Sequence, residues 1–95
     1  MPEMHFEVRW PDGQTLNCYS PSLVVREHLA VGSSYPLPEV VQRARTALNT
    51  ASERVRAKYG FSCSMALAQL AAIETTAANY PPESRVVVLA FDSEE

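Results

Sequence analysis

The sequence predicts an α+β fold of order β-β-α-α-α-β, a three-stranded, mainly antiparallel sheet with its helices packed on one face. Three observations predict it. Residues 4–10 alternate strictly, with Met4, Phe6, Val8 and Trp10 on one face and His5, Glu7 and Arg9 on the other; period two with one apolar face marks a half-buried strand. Between Pro38 and Gly60, Val40, Val41, Ala44, Ala47, Leu48, Ala51, Val55 and Tyr59 fall on one stripe at the helical turn of about 100° per residue. Near the C-terminus, residues 85–91 form a short, almost wholly apolar run, as an internal strand does.

The elements follow in order. After the first strand, Pro11-Asp12-Gly13 supplies a tight turn, with glycine free to take a positive φ. Gln14 to Tyr19 is the second strand, with Leu16 and Cys18 sharing a face, so the two strands make a β-hairpin with Trp10 at its end. Ser20-Pro21-Ser22 stops it. Either serine suits a helix cap and Pro21 a first turn, so Leu23 to Ala30 is expected as a short helix ended by Gly32. Tyr35-Pro36-Leu37-Pro38 is a rigid extended lead into the long helix. Pro38 occupies its first turn and Gly60 stops it. Arg43 and Arg54 border the apolar stripe on one side, Arg45 and Arg56 on the other. A third helix is expected over about Met65 to Asn79, capped by Ser62 or Ser64, with Cys63, Ala66, Leu67, Leu70, Ile73 and Ala77 turned inward. Pro81-Pro82 forbids its continuation. The last strand, Arg85 to Phe91, is apolar on both faces, and residues 92–95 are expected as a flexible, solvated acidic tail.

Composition bounds the function. Ninety-five residues suit a single domain over 1–95. With 46% hydrophobic and 20% charged residues the chain is globular rather than disordered. Its longest apolar run, Val86 to Phe91, is far below the roughly 20 residues of a membrane span. No signal peptide is expected, since Met1-Pro2-Glu3-Met4 has neither a basic start nor an apolar stretch. A net charge of -3 argues against nonspecific nucleic-acid binding. Cys18 and Cys63, with His5 and His28, do not complete a structural zinc pattern. A reduced, cytoplasmic protein without metal or cofactor is the expectation, although a Cys18–Cys63 disulfide stays open on count alone. Phosphate-loop, dinucleotide, nucleophile-elbow and zinc-protease motifs are absent.

Four features are candidates for chemistry. Cys63 stands at a helix N-terminus after Lys58-Tyr59-Gly60-Phe61; dipole and cation would favour its thiolate, whereas the plainer reading is a small buried hydrophobe. Glu74 falls about 40° from Leu70 on the helical wheel. It is either a catalytic acid or base, or the partner of an arginine on the long helix. His28 is a candidate proton handler, or a surface or interface residue. Arg43, Arg45, Arg54 and Arg56 are candidates for anion binding, but read better as solvated borders with pairs such as Glu39–Arg43. DNA binding would rest on those arginines alone.

A family resemblance runs nearly the full length. It is carried by Val8-Arg9-Trp10-Pro11-Asp12-Gly13, by Cys18-Tyr19-Ser20-Pro21-Ser22 through Val25-Arg26-Glu27-His28, and by Tyr35-Pro36-Leu37. Arg43 to Leu48, Ala51 to Phe61 and Cys63-Ser64 continue it. In these stretches the chain resembles the small bacterial nitrogen-starvation-response family encoded in nitrilase-type gene clusters. The resemblance implies a link to nitrogen limitation. Its cluster neighbours would include a nitrilase, a radical S-adenosylmethionine enzyme, an acetyltransferase, a flavoprotein and a glycosyltransferase. It brings no catalytic residues with it.

The expected function is that of an accessory or regulatory protein: a non-enzymatic homodimer that binds a protein partner, such as one from the cluster, or a small metabolite. The dimer is expected because the second apolar face of the last strand needs a cover. The alternative is a small enzyme or thiol-dependent partner using Cys63, with His28 and Glu74 handling protons.

Overall fold

The computed structural model describes residues 2–93. It is an α+β fold built on a four-stranded, fully antiparallel sheet of order β2-β1-β4-β3. Strands β1 (Met4–Arg9) and β2 (Thr15–Ser20) form the expected hairpin. Its turn closes through Trp10 N–H to the Gln14 carbonyl at 2.8 Å and Gly13 N–H to the Trp10 carbonyl at 2.9 Å, with Gly13 at φ +91. Met4, Phe6, Val8 and Trp10 are all buried, so the alternation was read on the correct face.

The segment after β2 departs from the expected helix. Leu23–Glu27 is a single 3₁₀ turn, not an α-helix reaching Ala30. The turn buries the adjacent pair Val24 and Val25 and closes where His28 N–H and Leu29 N–H both donate to the Val25 carbonyl at 3.0 Å, the short tight turn typical of a connector. Ser22 caps it, accepting from Val24 N–H at 3.3 Å, and the Ser20 hydroxyl donates to the Ser22 carbonyl at 2.7 Å. Two helices follow rather than three in all: α1 (Leu37–Tyr59) and α2 (Ser64–Ala77).

A further strand, β3 (Ser34–Pro36), was read from sequence only as an extended lead into α1. It pairs with β4 (Arg85–Ser93), Tyr35 opposite Val86. Pro36 has no N–H to give, which confines it to a sheet edge. The Arg85 side chain closes that edge, reaching the Ser34 hydroxyl and carbonyl at 2.9 Å each.

Strand β4 runs two residues past the expected Phe91. Asp92 lies opposite His5 and Ser93 opposite Met4, because backbone pairing needs no apolar side chain. Half of the expected tail is therefore strand; Glu94 and Glu95 lie outside the described residues. The ladder slips by one residue between Glu7 and Val8, leaving Leu89 as the extra residue of a β-bulge. Strict alternation would put Phe91 on the opposite face from Val86 and Val88. The bulge restores all three to the helix side, where Phe91 lies opposite Phe6 and packs on the core.

The core lies between the sheet and the helices. From α1 it takes Val40, Ala44, Ala47, Leu48 and Ala51, and from α2 Ala66, Leu70, Ile73 and Ala77. At about 1.5 Å per residue α1 is some 35 Å long, longer than the six-residue hairpin strands, about 20 Å each. Its last turn therefore overhangs the sheet, and Tyr59, expected inside, is 52% exposed.

Candidate functional site

The long helix α1 distributes the candidate residues. On one flank Arg43 donates to the His28 carbonyl at 2.8 Å and to Glu39 at 3.0 Å, and its guanidinium lies 4.8 Å from the Tyr35 ring centroid. Arg54 on the same flank donates to the Ser22 hydroxyl at 3.2 Å and lies 3.9 Å from Glu27. On the other flank Arg45 meets Glu74 of α2 at 2.7 Å. Arg56 pairs within its own helix with Glu53 at 3.3 Å. All four arginines are engaged, and they do not converge.

Glu74 is thus the partner of an α1 arginine, one of the two readings open from sequence. Its side chain is 40% exposed, since the α2 stripe stops short of it. His28, which ends the 3₁₀ turn, sits across α1 from that ion pair. Cys63, which precedes α2, lies eleven positions from Glu74, about 16 Å along the helix. The structure does not bring Cys63, His28 and Glu74 together. Among the described residues no three His, Cys, Asp or Glu side chains gather as a metal site, and no helix is long and apolar enough to cross a membrane.

The two thiols are free and differ sharply. Cys18 is fully buried, and burial pushes its pKa up to about 12. Cys63 is half-buried at the N-cap position of α2, where no side chain caps the helix. Its own N–H donates to the Ser52 hydroxyl at 3.3 Å. Ser52, buried on α1, thereby pins the start of α2; nothing in the sequence pattern singled it out.

Cys63 lines a cleft of about 330 Å³ with Glu3, Tyr19, Pro21, Val55, Tyr59 and Phe61. Strand pairing places Tyr19 beside His5, ring centroids 5.8 Å apart. Burial, and then the hydrogen bond its hydroxyl gives Glu3, push the Tyr19 pKa up to about 12. Gln69 of α2 holds the edge of β2 by accepting from Tyr19 N–H at 2.9 Å. Glu3 and Tyr19 were missed from sequence because only the tertiary fold brings the N-terminal segment against the α1–α2 corner. A second, shallower cleft of about 480 Å³ lies between the start of α1 and the end of α2, lined by Val41, Arg45 and Tyr80 among others. Tyr80 stacks on Trp10, whose buried indole N–H finds no acceptor among the described residues.

Surplus apolar surface is concentrated beside the Cys63 cleft. Tyr59 and Phe61 (67% exposed) stand at the α1–α2 corner, and Met65 and Leu67 (43% exposed) flank the buried stripe of α2 on either side just after it. Helix α2 carries no charged residue before Glu74 and also exposes Ala68, Ala71 and Ala72. A helix apolar all round is ordinarily buried. By contrast, the uncovered face of the sheet mixes Val87 and Ala90 with Glu7, Arg9 and Asp92.

No curated protein and no solved structure matches the chain. A family model described as nitrogen starvation-induced protein NitG matches residues 5–91. Covering nearly all of the chain, that match carries the resemblance read from its segments: the protein belongs to the nitrogen starvation-induced NitG family.

Proposed function

We propose that the protein is a non-enzymatic accessory or regulatory factor of nitrogen-stress metabolism. It acts in the cytoplasm as a homodimer and binds a protein partner, such as a product of a nitrilase-type cluster, or a small metabolite. One observation carries this reading: α1 stands between His28 and the Arg45–Glu74 pair, and Cys63 lies a helix length away, so the three candidate catalytic side chains Cys63, His28 and Glu74 do not share a cleft. The apolar α1–α2 corner supports the binding half, since exposed patches of this kind mark interaction sites.

The alternative, a thiol-dependent enzyme or partner, is favoured by the placement of Cys63 in the smaller cleft. There its neighbours are Glu3 and Tyr19 rather than His28 and Glu74. Alkylation of the native protein separates the two readings. A Cys63 modified as fast at pH 6 as at pH 8.5 has a stabilised thiolate and moves the assignment to the alternative. A Cys63 modified only after unfolding removes that alternative.

A further inference from the structure

Ligand pockets are mostly apolar, with a few convergent polar groups that set specificity. The Cys63 cleft has that make-up, and its volume of about 330 Å³ lies at the small-ligand end of the usual range. Its charge is of one sign. Glu3 is its carboxylate, no lysine or arginine lines it, and three aromatic rings, Tyr19, Tyr59 and Phe61, surround the opening. We propose that this cleft binds a small organic ammonium ion, held by the Glu3 carboxylate and the faces of Tyr19, Tyr59 and Phe61. The inference deepens the metabolite half of the function above and rests on it.

Aromatic faces attract cations through their ring quadrupole, most strongly where water is excluded. Tyr59 already shows this: the Lys58 ammonium lies 5.6 Å from its ring centroid. Tyr19 adds a second function, because it lines the cleft together with Glu3 and sets an aromatic ring beside the carboxylate. Anionic ligands are disfavoured. They would meet Glu3, and the nearby cations are committed elsewhere, Lys58 to the Tyr59 ring, Arg54 to Ser22 and Glu27, and Arg56 to Glu53. Phe61 and Tyr59 keep more than half of their surface exposed, so a ligand can reach them without moving the fold.

The test compares choline with its uncharged isostere 3,3-dimethyl-1-butanol, followed by NMR of the full chain at the rings of Tyr19, Tyr59 and Phe61. Choline is expected to shift these resonances saturably, with the isostere binding about tenfold more weakly. Glu3→Gln, checked for folding by circular dichroism, should remove that preference while leaving the isostere unchanged. Lys58→Gln, which takes away a competing cation, should tighten choline binding. Equal binding of choline and isostere, an unaltered preference in Glu3→Gln, or no saturable shift at about 50 mM choline overturns the proposal. Light scattering on the same samples keeps the outcomes apart: a dimer indifferent to choline defeats the cation site and leaves the binding reading standing.

Discussion

The buried thiol of Cys18 gives the fold a calculable alkaline weakness. In the unfolded chain the group titrates at its ordinary value of 9.0, whereas burial raises it to about 12 in the folded protein. Below pH 9 both states keep the proton and the contribution to stability does not vary. Above pH 9 the unfolded chain releases its proton while the folded one retains it, so stability falls as pH rises. The slope approaches about 1.4 kcal/mol per pH unit, reaching about 2 kcal/mol by pH 10.5 and about 4 kcal/mol near pH 12. The folded thiol stays protonated because burial disfavours the thiolate; its Sγ lies 3.8 Å from the Leu16 carbonyl. Urea unfolding of wild type and Cys18→Ala, under reducing conditions at steps from pH 8 to 10.5, isolates the effect, since the other titrating groups cancel in the difference. The stability advantage of wild type over the variant should shrink by about 2 kcal/mol across that range. A constant difference, or native-state alkylation of Cys18 as fast as that of Cys63, would refute the reasoning.

Three further perturbations probe the scaffold around the candidate site. Gly60→Ala forces a side chain onto a φ of +87 at the end of α1 and should cost about 1–2 kcal/mol in urea unfolding. Deleting Leu89 removes the bulge but leaves Val88 and Ala90 consecutive opposite Val8 and Glu7, so Phe91 stays opposite Phe6 on the helix side; the loss in urea unfolding should stay below about 2 kcal/mol, with the Phe6–Phe91 nuclear Overhauser contact retained. Glu74→Gln breaks only a partly exposed ion pair and should cost no more than about 1 kcal/mol, measured as a shift in the urea midpoint; a larger loss would give Glu74 a role beyond that pair.

Much of the scaffold was legible because its signals are local. Period-two residues and Asp12-Gly13 announced the hairpin, and the 3.6-residue stripe bounded by Pro38 and Gly60 announced α1. Glu74 was readable as the partner of an α1 arginine because its wheel position beside Leu70 pointed it toward that helix. Three features were hidden by their nature. A three-residue strand containing proline has no period, and the pairing of β3 with Val86 spans half the sequence. The bulge at Leu89 changes parity inside an all-apolar run, where no polar residue marks which way a side chain points. The Cys63 cleft draws its residues from the N-terminal segment, β2, α1 and the α1–α2 connection, so its composition exists only after folding. The dimer was anticipated from the back of β4, whereas all the large exposed apolar side chains among the described residues except Val31 lie at or just after the α1–α2 corner, where the helix outruns the sheet.

That corner provides the most direct test of a protein that works by association. Light scattering behind size exclusion at micromolar concentration should give a mass near twice the 10.5 kDa chain, and Leu67→Asp with Ala71→Asp, both exposed on α2 and outside the Cys63 cleft, should return it to a single chain without loss of helix content. A wild-type protein that elutes as a clean 10.5 kDa monomer would contradict the account.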